Sequence, residues 1–244
     1  MPRQDFSEAE KRAVYRAIYE RRDVRSQFLS DPIPDPVLGR LIDAAHHAPS
    51  VGFMQPWDFI LIQDADLRRR IYENFDRANR SAGEIYHGER RALYGNMKLA
   101  GILDAPVNLC ITCDRERRAG HGLGRQSDPA TDLYSTVCAV ENLWLAARAE
   151  SLGVGWVSIL DLDELRAALG IPANATPVAY LCIGYVSEFR PRPDLEDNGW
   201  ERRGSLQDLI HFDHWDARDR ERAEALLPSE PRPSGSGPHA TLAT

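Results

Sequence analysis

Two helical segments followed by strands that alternate with helices predict an α/β or α+β domain, one sheet held between helices, over most of this 244-residue chain. Three observations carry that expectation. Apolar residues recur at helical spacing near the N-terminus, four short apolar runs follow near 57–62, 107–113, 153–160 and 178–186, and 43 % hydrophobic residues suffice for one sizeable core. The net charge of −7 argues against nucleic acid or an anionic membrane as main partner, because both demand a basic field. No apolar run approaches the ~20 residues of a membrane helix, and Met1-Pro2-Arg3-Gln4-Asp5 lacks an apolar signal core, so a cytoplasmic location is expected.

Each element has a local cause. Ser7-Glu8-Ala9-Glu10 is a capping box, and Ala13, Val14, Ala17 and Ile18 share a face, so a first helix should reach about Arg21. Asp35 before Pro36 opens a second, with Val37, Leu38, Leu41, Ile42 and Ala45 inward and Pro49 as its stop. Trp57–Ile62 reads as a buried strand. Residues 65–100 form a long helical stretch in which Gly83, Gly88 and Gly95 are weak points, sites of interruption or of a movable lid. After the strand at 107–113, Gly120, Gly122 and Gly124 meet neither nucleotide template: Arg125 stands where a dinucleotide fingerprint continues toward glycine, and no Lys-Ser or Lys-Thr pair follows.

Residues 131–152 are apolar nearly all round, the mark of a helix buried in a core or a subunit interface, so Glu141 and Asn142 need partners there. A glycine-led strand at 153–160, a short helix from about Asp161 to Leu169 stopped by Gly170 and Pro172, and a strand at 178–186 complete the body. Over 186–215, apolar anchors such as Trp200, Phe212 and Trp215 among prolines and charges suit an extended arm laid across a body, its own or a partner's, and 228–244 should be disordered. Cys110 and Cys113 have the spacing of a redox or zinc pair, yet an odd offset within a strand turns them to opposite faces. Together with Cys138 and Cys182 they are expected to be buried, inert thiols, with no metal.

Four patches at element ends carry chemistry. Arg21-Arg22-Asp23-Val24-Arg25 sets three guanidinium forks around one carboxylate; the forks suit an anion with several acceptors, and the carboxylate should stay ionised. The others are Ala48-Pro49-Ser50-Val51-Gly52-Phe53-Met54-Gln55-Pro56-Trp57, Gly153 to Ser158, and the segment around Lys98. Each taken singly also has a bland account, as a surface ion-pair network, a turn, a tight strand entry and a satisfied hydroxyl.

Together they resemble the flavin-binding nitroreductase superfamily, to about residue 215. There an Arg-Arg-Ser-x-Arg run grips the phosphate and ribityl chain of FMN, a Pro-Ser…Gln-Pro-Trp run lines the flavin, and a Gly-x-Gly…Trp strand approaches its ring; residues 21–25, 49–57 and 153–156 match in order and spacing. The resemblance implies an α+β, nitroreductase-like domain over 1–215, its central mixed sheet flanked by helices and its C-terminal arm packed on the partner of a homodimer. It also implies FMN contacts from Arg21, Arg22, Asp23, Val24, Arg25, Pro49, Ser50, Leu99 and Ser158.

Two departures are specific. Asp23 replaces the usual serine and Phe53 a common asparagine; with Tyr134-Ser135-Thr136-Val137-Cys138-Ala139-Val140 and Gly155-Trp156-Val157-Ser158 they are similar to the branch that forms 5,6-dimethylbenzimidazole, the lower ligand of cobalamin. That branch uses reduced FMN as a substrate, fragmenting it with O2 to dimethylbenzimidazole and erythrose 4-phosphate, and needs a separate NAD(P)H–flavin reductase to supply FMNH2. The implied catalytic residues are Asp23 as base and Ser158 at the flavin edge, with Asn96-Met97-Lys98-Leu99 as cover. Arginine neighbours hold Asp23 ionised but weaken it as a base, whereas desolvation under a cover acts oppositely. Two alternatives remain: an NAD(P)H-dependent nitroreductase that recycles FMN, and a non-catalytic flavin carrier.

Overall fold

The computed structural model describes residues 5–227, and the disorder expected for 228–244 lies outside them. The chain divides into two compact units, the first ending at Phe189. The first contains α1 (Glu8–Glu20), α2 (Asp35–His46), β1 (Trp57–Ile62), α3 (Ala65–Gly83), α4 (Gly88–Asn96), β2 (Val107–Asp114), α5 (Thr131–Ala149), β3 (Leu152–Trp156), α6 (Leu162–Leu169) and β4 (Ala175–Tyr185). The capping box forms as expected, Ser7 Oγ accepting from Glu10 N and Glu10 accepting from Ser7 N. Gly170 closes α6 in the left-handed conformation. The expected long helix over 65–100 is two helices, broken between Gly83 and Gly88, the latter at a φ of 55°.

The strand order is β1-β2-β4-β3, and every ladder is antiparallel, which corrects the expectation of a mixed sheet. The cause is topological. β2 and β3 run parallel and are joined through α5, but β4 inserts between them and pairs antiparallel with both. The one-residue bridge Asp23–Val154 is the parallel pairing among the described residues. β1 lies at the sheet edge, so it is not the fully buried strand expected: Trp57 and Ile62 are buried while Asp58 and Leu61 are exposed.

Alternation along the central strands sends side chains into two cores. Leu109, Ile111, Leu181 and Ile183 meet Leu41 of α2 and Leu143 of α5 on one face. Cys110, Tyr180 and Cys182 meet Ile71 and Phe75 of α3 and Leu165 of α6 on the other. No helix among the described residues is long and apolar enough to cross a membrane.

The second unit holds most of the segment expected as an arm. It contains α7 (Asp194–Asp197), a 3-10 turn at Leu206–Leu209 and α8 (Arg220–Leu226), with Arg222 over the Phe212 ring at 4.1 Å and His211 stacked on Trp215 at 4.7 Å.

The packing makes three predictions. All four cysteines are free, and burial pushes the Cys110 and Cys182 thiols up to about 12 and raises that of Cys113. Iodoacetamide at pH 8 should therefore modify only the half-buried Cys138 in the folded protein and all four thiols in denaturant. The raised thiols hold their protons when folded, so stability is full below the ordinary thiol pKa and declines as pH climbs from there toward about 12. A Cβ at Gly155 would stand 2.1 Å from the Val24 carbonyl oxygen, so Gly155→Ala should lower stability by about 1–3 kcal/mol, read as a fall in melting temperature.

Candidate functional site

The end of α1 and the entry of β3 build the site's centre. α1 stops at Glu20, and the chain turns extended so that Val24 N donates to Val154 O at 2.9 Å. The Asp23 carboxylate is fixed by two donors: Trp156 N–H gives to Oδ1 at 3.0 Å, and Arg25 Nη2 pairs with Oδ2. The approach requires glycine in β3. A Cβ at Gly153 would fall 2.4 Å from Val186 Cγ1 and 3.0 Å from Val24 Cγ2, and Gly155 is tighter still.

Helix α5 supports the arginines from behind. Arg21 lies 4.9 Å over the Trp144 ring, with its Nε 3.3 Å from Glu141 Oε1. Trp144 Nε1 donates to Arg22 O at 3.2 Å, and Arg22 Nη1 donates to the carbonyls of Tyr19 and Arg21. Arg148 pairs with Glu20 at 2.7 Å. Glu141 and Asn142 thus find the partners their position demanded, Asn142 Nδ2 donating to Ala44 O at 3.1 Å. The Nε of Arg25 is buried without a hydrogen-bond acceptor, which leaves a donor for an anion.

Ser158 follows β3 directly and is exposed, beyond Val157, whose N–H donates to Tyr180 O at 2.9 Å. Reciprocal 2.8 Å hydrogen bonds between the Asn74 side chain and the Asp161 backbone hold the loop beyond it. Leu99 is half-buried against the α3/α6 core. Two residues on, a Cβ at Gly101 would meet the Phe28 ring at 2.6 Å and Arg25 O at 3.2 Å, so the cover segment reaches the arginine run. The turn beneath it is tied to the sheet by Asn108 Nδ2 donating to Ile102 O at 3.1 Å, with Tyr180 OH giving to Asn108 Oδ1 at 2.8 Å. Desolvation raises the pKa of Tyr180, so it donates as a neutral phenol.

Residues 21–25, 99–101 and 153–158 therefore converge within one chain. Pro49 and Ser50 belong to a loop hung on the N-terminal half of α5, where Val51 N donates to Ser135 Oγ at 3.0 Å. Ser135 lies six residues before Glu141, about 9 Å along the helix at 1.5 Å per residue. Phe53 is 76 % exposed at a φ of 55°. Sequence reasoning missed Trp144 and the Trp156 N–H. The first was hidden in a uniformly apolar helix, and the second is a backbone group that carries no residue signature.

Comparison with known proteins agrees with this geometry. The model of the nitroreductase family matches residues 18–185. A 5,6-dimethylbenzimidazole synthase from Rhodospirillum rubrum is 47 % identical over 75 % of this chain and 86 % of its own. One from Rhodobacter capsulatus is 41 % identical over 81 % of this chain and 95 % of its own. In three dimensions, the crystal structure of oxidised iodotyrosine deiodinase bound to FMN and 3-iodo-L-tyrosine superposes with a TM-score of 0.66 at 20 % identity, covering 83 % of this chain and all of that one. By the family match and these identities, the chain belongs to the nitroreductase family, among its 5,6-dimethylbenzimidazole synthases.

Proposed function

We propose that the chain fragments reduced FMN with O2 to 5,6-dimethylbenzimidazole and erythrose 4-phosphate, consuming the flavin as substrate. The observation that carries this reading is the Asp23 carboxylate, held by Trp156 N–H and Arg25 among three guanidinium forks of N–H donors, of which Arg25 Nε is buried without an acceptor. Those donors fit the phosphate and the anionic ring of reduced flavin. The bare backbone of β3 at Gly153 and Gly155 lets Val24 and Asp23 lie against it, which sets the carboxylate in place. When bound, the flavin supplies the oxygen chemistry; the chain's residues bind, orient and move protons.

In this reading Arg21, Arg22 and Arg25 neutralise the ligand, Val24 and Leu99 pack against it, and Pro49 and Ser50 line it. Asp23 takes the proton whose removal permits carbon–carbon cleavage, and Ser158 hydrogen-bonds the ring edge or orients Asp23. A homodimer accounts for the exposed Val14, Tyr15 and Ile18 of α1 and the exposed Tyr134 and Val137 of α5. The segment at 186–215 serves as an arm on the partner, a separate NAD(P)H–flavin reductase supplies FMNH2, and the cytoplasm is the site of reaction.

Chemically reduced FMN and air, without nicotinamide, should yield dimethylbenzimidazole by mass spectrometry. No product alongside brisk NAD(P)H oxidation would instead favour a nitroreductase. Asp23→Asn keeps the size of the side chain and removes its charge, so it should retain FMN binding and lose product formation by about 10²–10⁴-fold, the span of general-base catalysis. An unchanged flavin fate in that variant and the wild type would favour a carrier. Ser158→Ala should slow or divert flavin oxidation with binding intact; a wild-type oxidation trace contradicts its role.

A further inference from the structure

The loop carrying Pro49 and Ser50 holds an unfavourable backbone. Gly52, Phe53 and Gln55 all have positive φ, at 55°, 55° and 47°, and two of them carry side chains. Left-handed conformations of non-glycine residues are unfavourable, so contacts from outside the loop help to hold it. Within the loop, Phe53 N donates to Ser50 O at 3.0 Å, Met54 N to Val51 O at 2.9 Å and Gln55 N to Ser50 Oγ at 3.0 Å, and Met54 is buried; from α5, Ser135 Oγ accepts from Val51 N.

The remaining restraint comes from the connection between β2 and α5. Arg117 Nη1 donates to Gln55 O at 2.7 Å and Trp57 O at 3.1 Å, and Nη2 donates to both oxygens of Asp58 at 2.7 and 2.6 Å. Its Nε lies 3.6 Å from Asp114 Oδ2, so every guanidinium nitrogen faces an acceptor. Gly120 packs on Gly52 so closely that a Cβ there would stand 2.2 Å from Gly52 O, and a Cβ at Gly124 would meet Val51 Cγ2 at 2.8 Å. The connection is itself anchored in the core: Arg115 Nε and Arg125 Nη2 lie 3.1 and 2.8 Å from Asp132 Oδ2, a carboxylate with 0 % exposure at the start of α5. Arg125 also donates to Arg115 O, and Arg115 to Pro129 O.

We propose that the glycine-flecked connection is a clamp that holds the Pro49–Ser50 loop in its ligand-lining shape, with Arg117 as a positioning residue and Gly120 as the contact point. This rests on the flavin reading of that loop. Nothing in the clamp touches the reacting atoms, so loosening it weakens binding and leaves the chemical step.

The test uses the full chain. Arg117→Lys keeps the charge but cannot span the carbonyls and Asp58 together, and Gly120→Ala drives a methyl into Gly52. Both are expected to raise the dissociation constant for oxidised FMN, read by quenching of flavin fluorescence, and the KM for reduced FMN by about tenfold, equal to 1.4 kcal/mol, with kcat within threefold. Should Arg117→Lys or Gly120→Ala fail to fold by circular dichroism, Gly124→Ala on the exposed rim gives the same reading in milder form. Unchanged binding and KM in folded variants, or a fall in kcat alone, overturns the clamp. Absence of dimethylbenzimidazole from the wild type sinks the flavin-fragmentation reading instead, and the dissociation constants still decide whether the clamp exists.

Discussion

The contact on which the site depends is the two-residue pairing of Asp23 and Val24 against β3. Val24 N donates to Val154 O, and Trp156 N returns a bond to the Asp23 carboxylate. This fixes the chain leaving α1 against the end of the sheet and sets the direction of the arginine side chains. It is possible only because Gly153 and Gly155 present bare backbone where any side chain would collide. A serine at position 23 preserves the backbone part of the contact but not the second anchor on Arg25, so charge and architecture are coupled at one residue.

Helix α5 is the second constraint. Its C-terminal half props the arginines through Glu141, Trp144 and Arg148, and its N-terminal half carries Asp132 and Ser135, which anchor the glycine connection and the Pro49–Ser50 loop. One rigid element thus sets the spacing between the arginine run and the Pro49–Ser50 loop, which share no strand. Its apolar side chains Tyr134 and Val137 face outward.

Much of this was legible in the chain. The capping box and the glycine stop of α6 are local signals with local causes, and both formed where expected. The family was legible because the arginine run, the Pro-Ser loop and the Gly-x-Gly strand are sequence-contiguous patches, each set by its own backbone demands. What was not legible depended on distant pairings. The insertion of β4 between β2 and β3, which removes parallel ladders, is decided by how the two cores fill and not by any strand's residues. Arg117 carries no sequence signal of its role, because the carbonyls it satisfies belong to residues 55 and 57, far off in sequence.

The central claim is that the flavin is taken apart. The ribityl chain carries one carbon more than erythrose, so that carbon, the one bonded to the ring nitrogen, must pass into the imidazole ring of the product. Reduced FMN labelled with ¹³C at this single position should give dimethylbenzimidazole heavier by one mass unit and unlabelled erythrose 4-phosphate. Label found in the sugar phosphate, or retained wholly in intact FMN after exposure to air, would contradict the account.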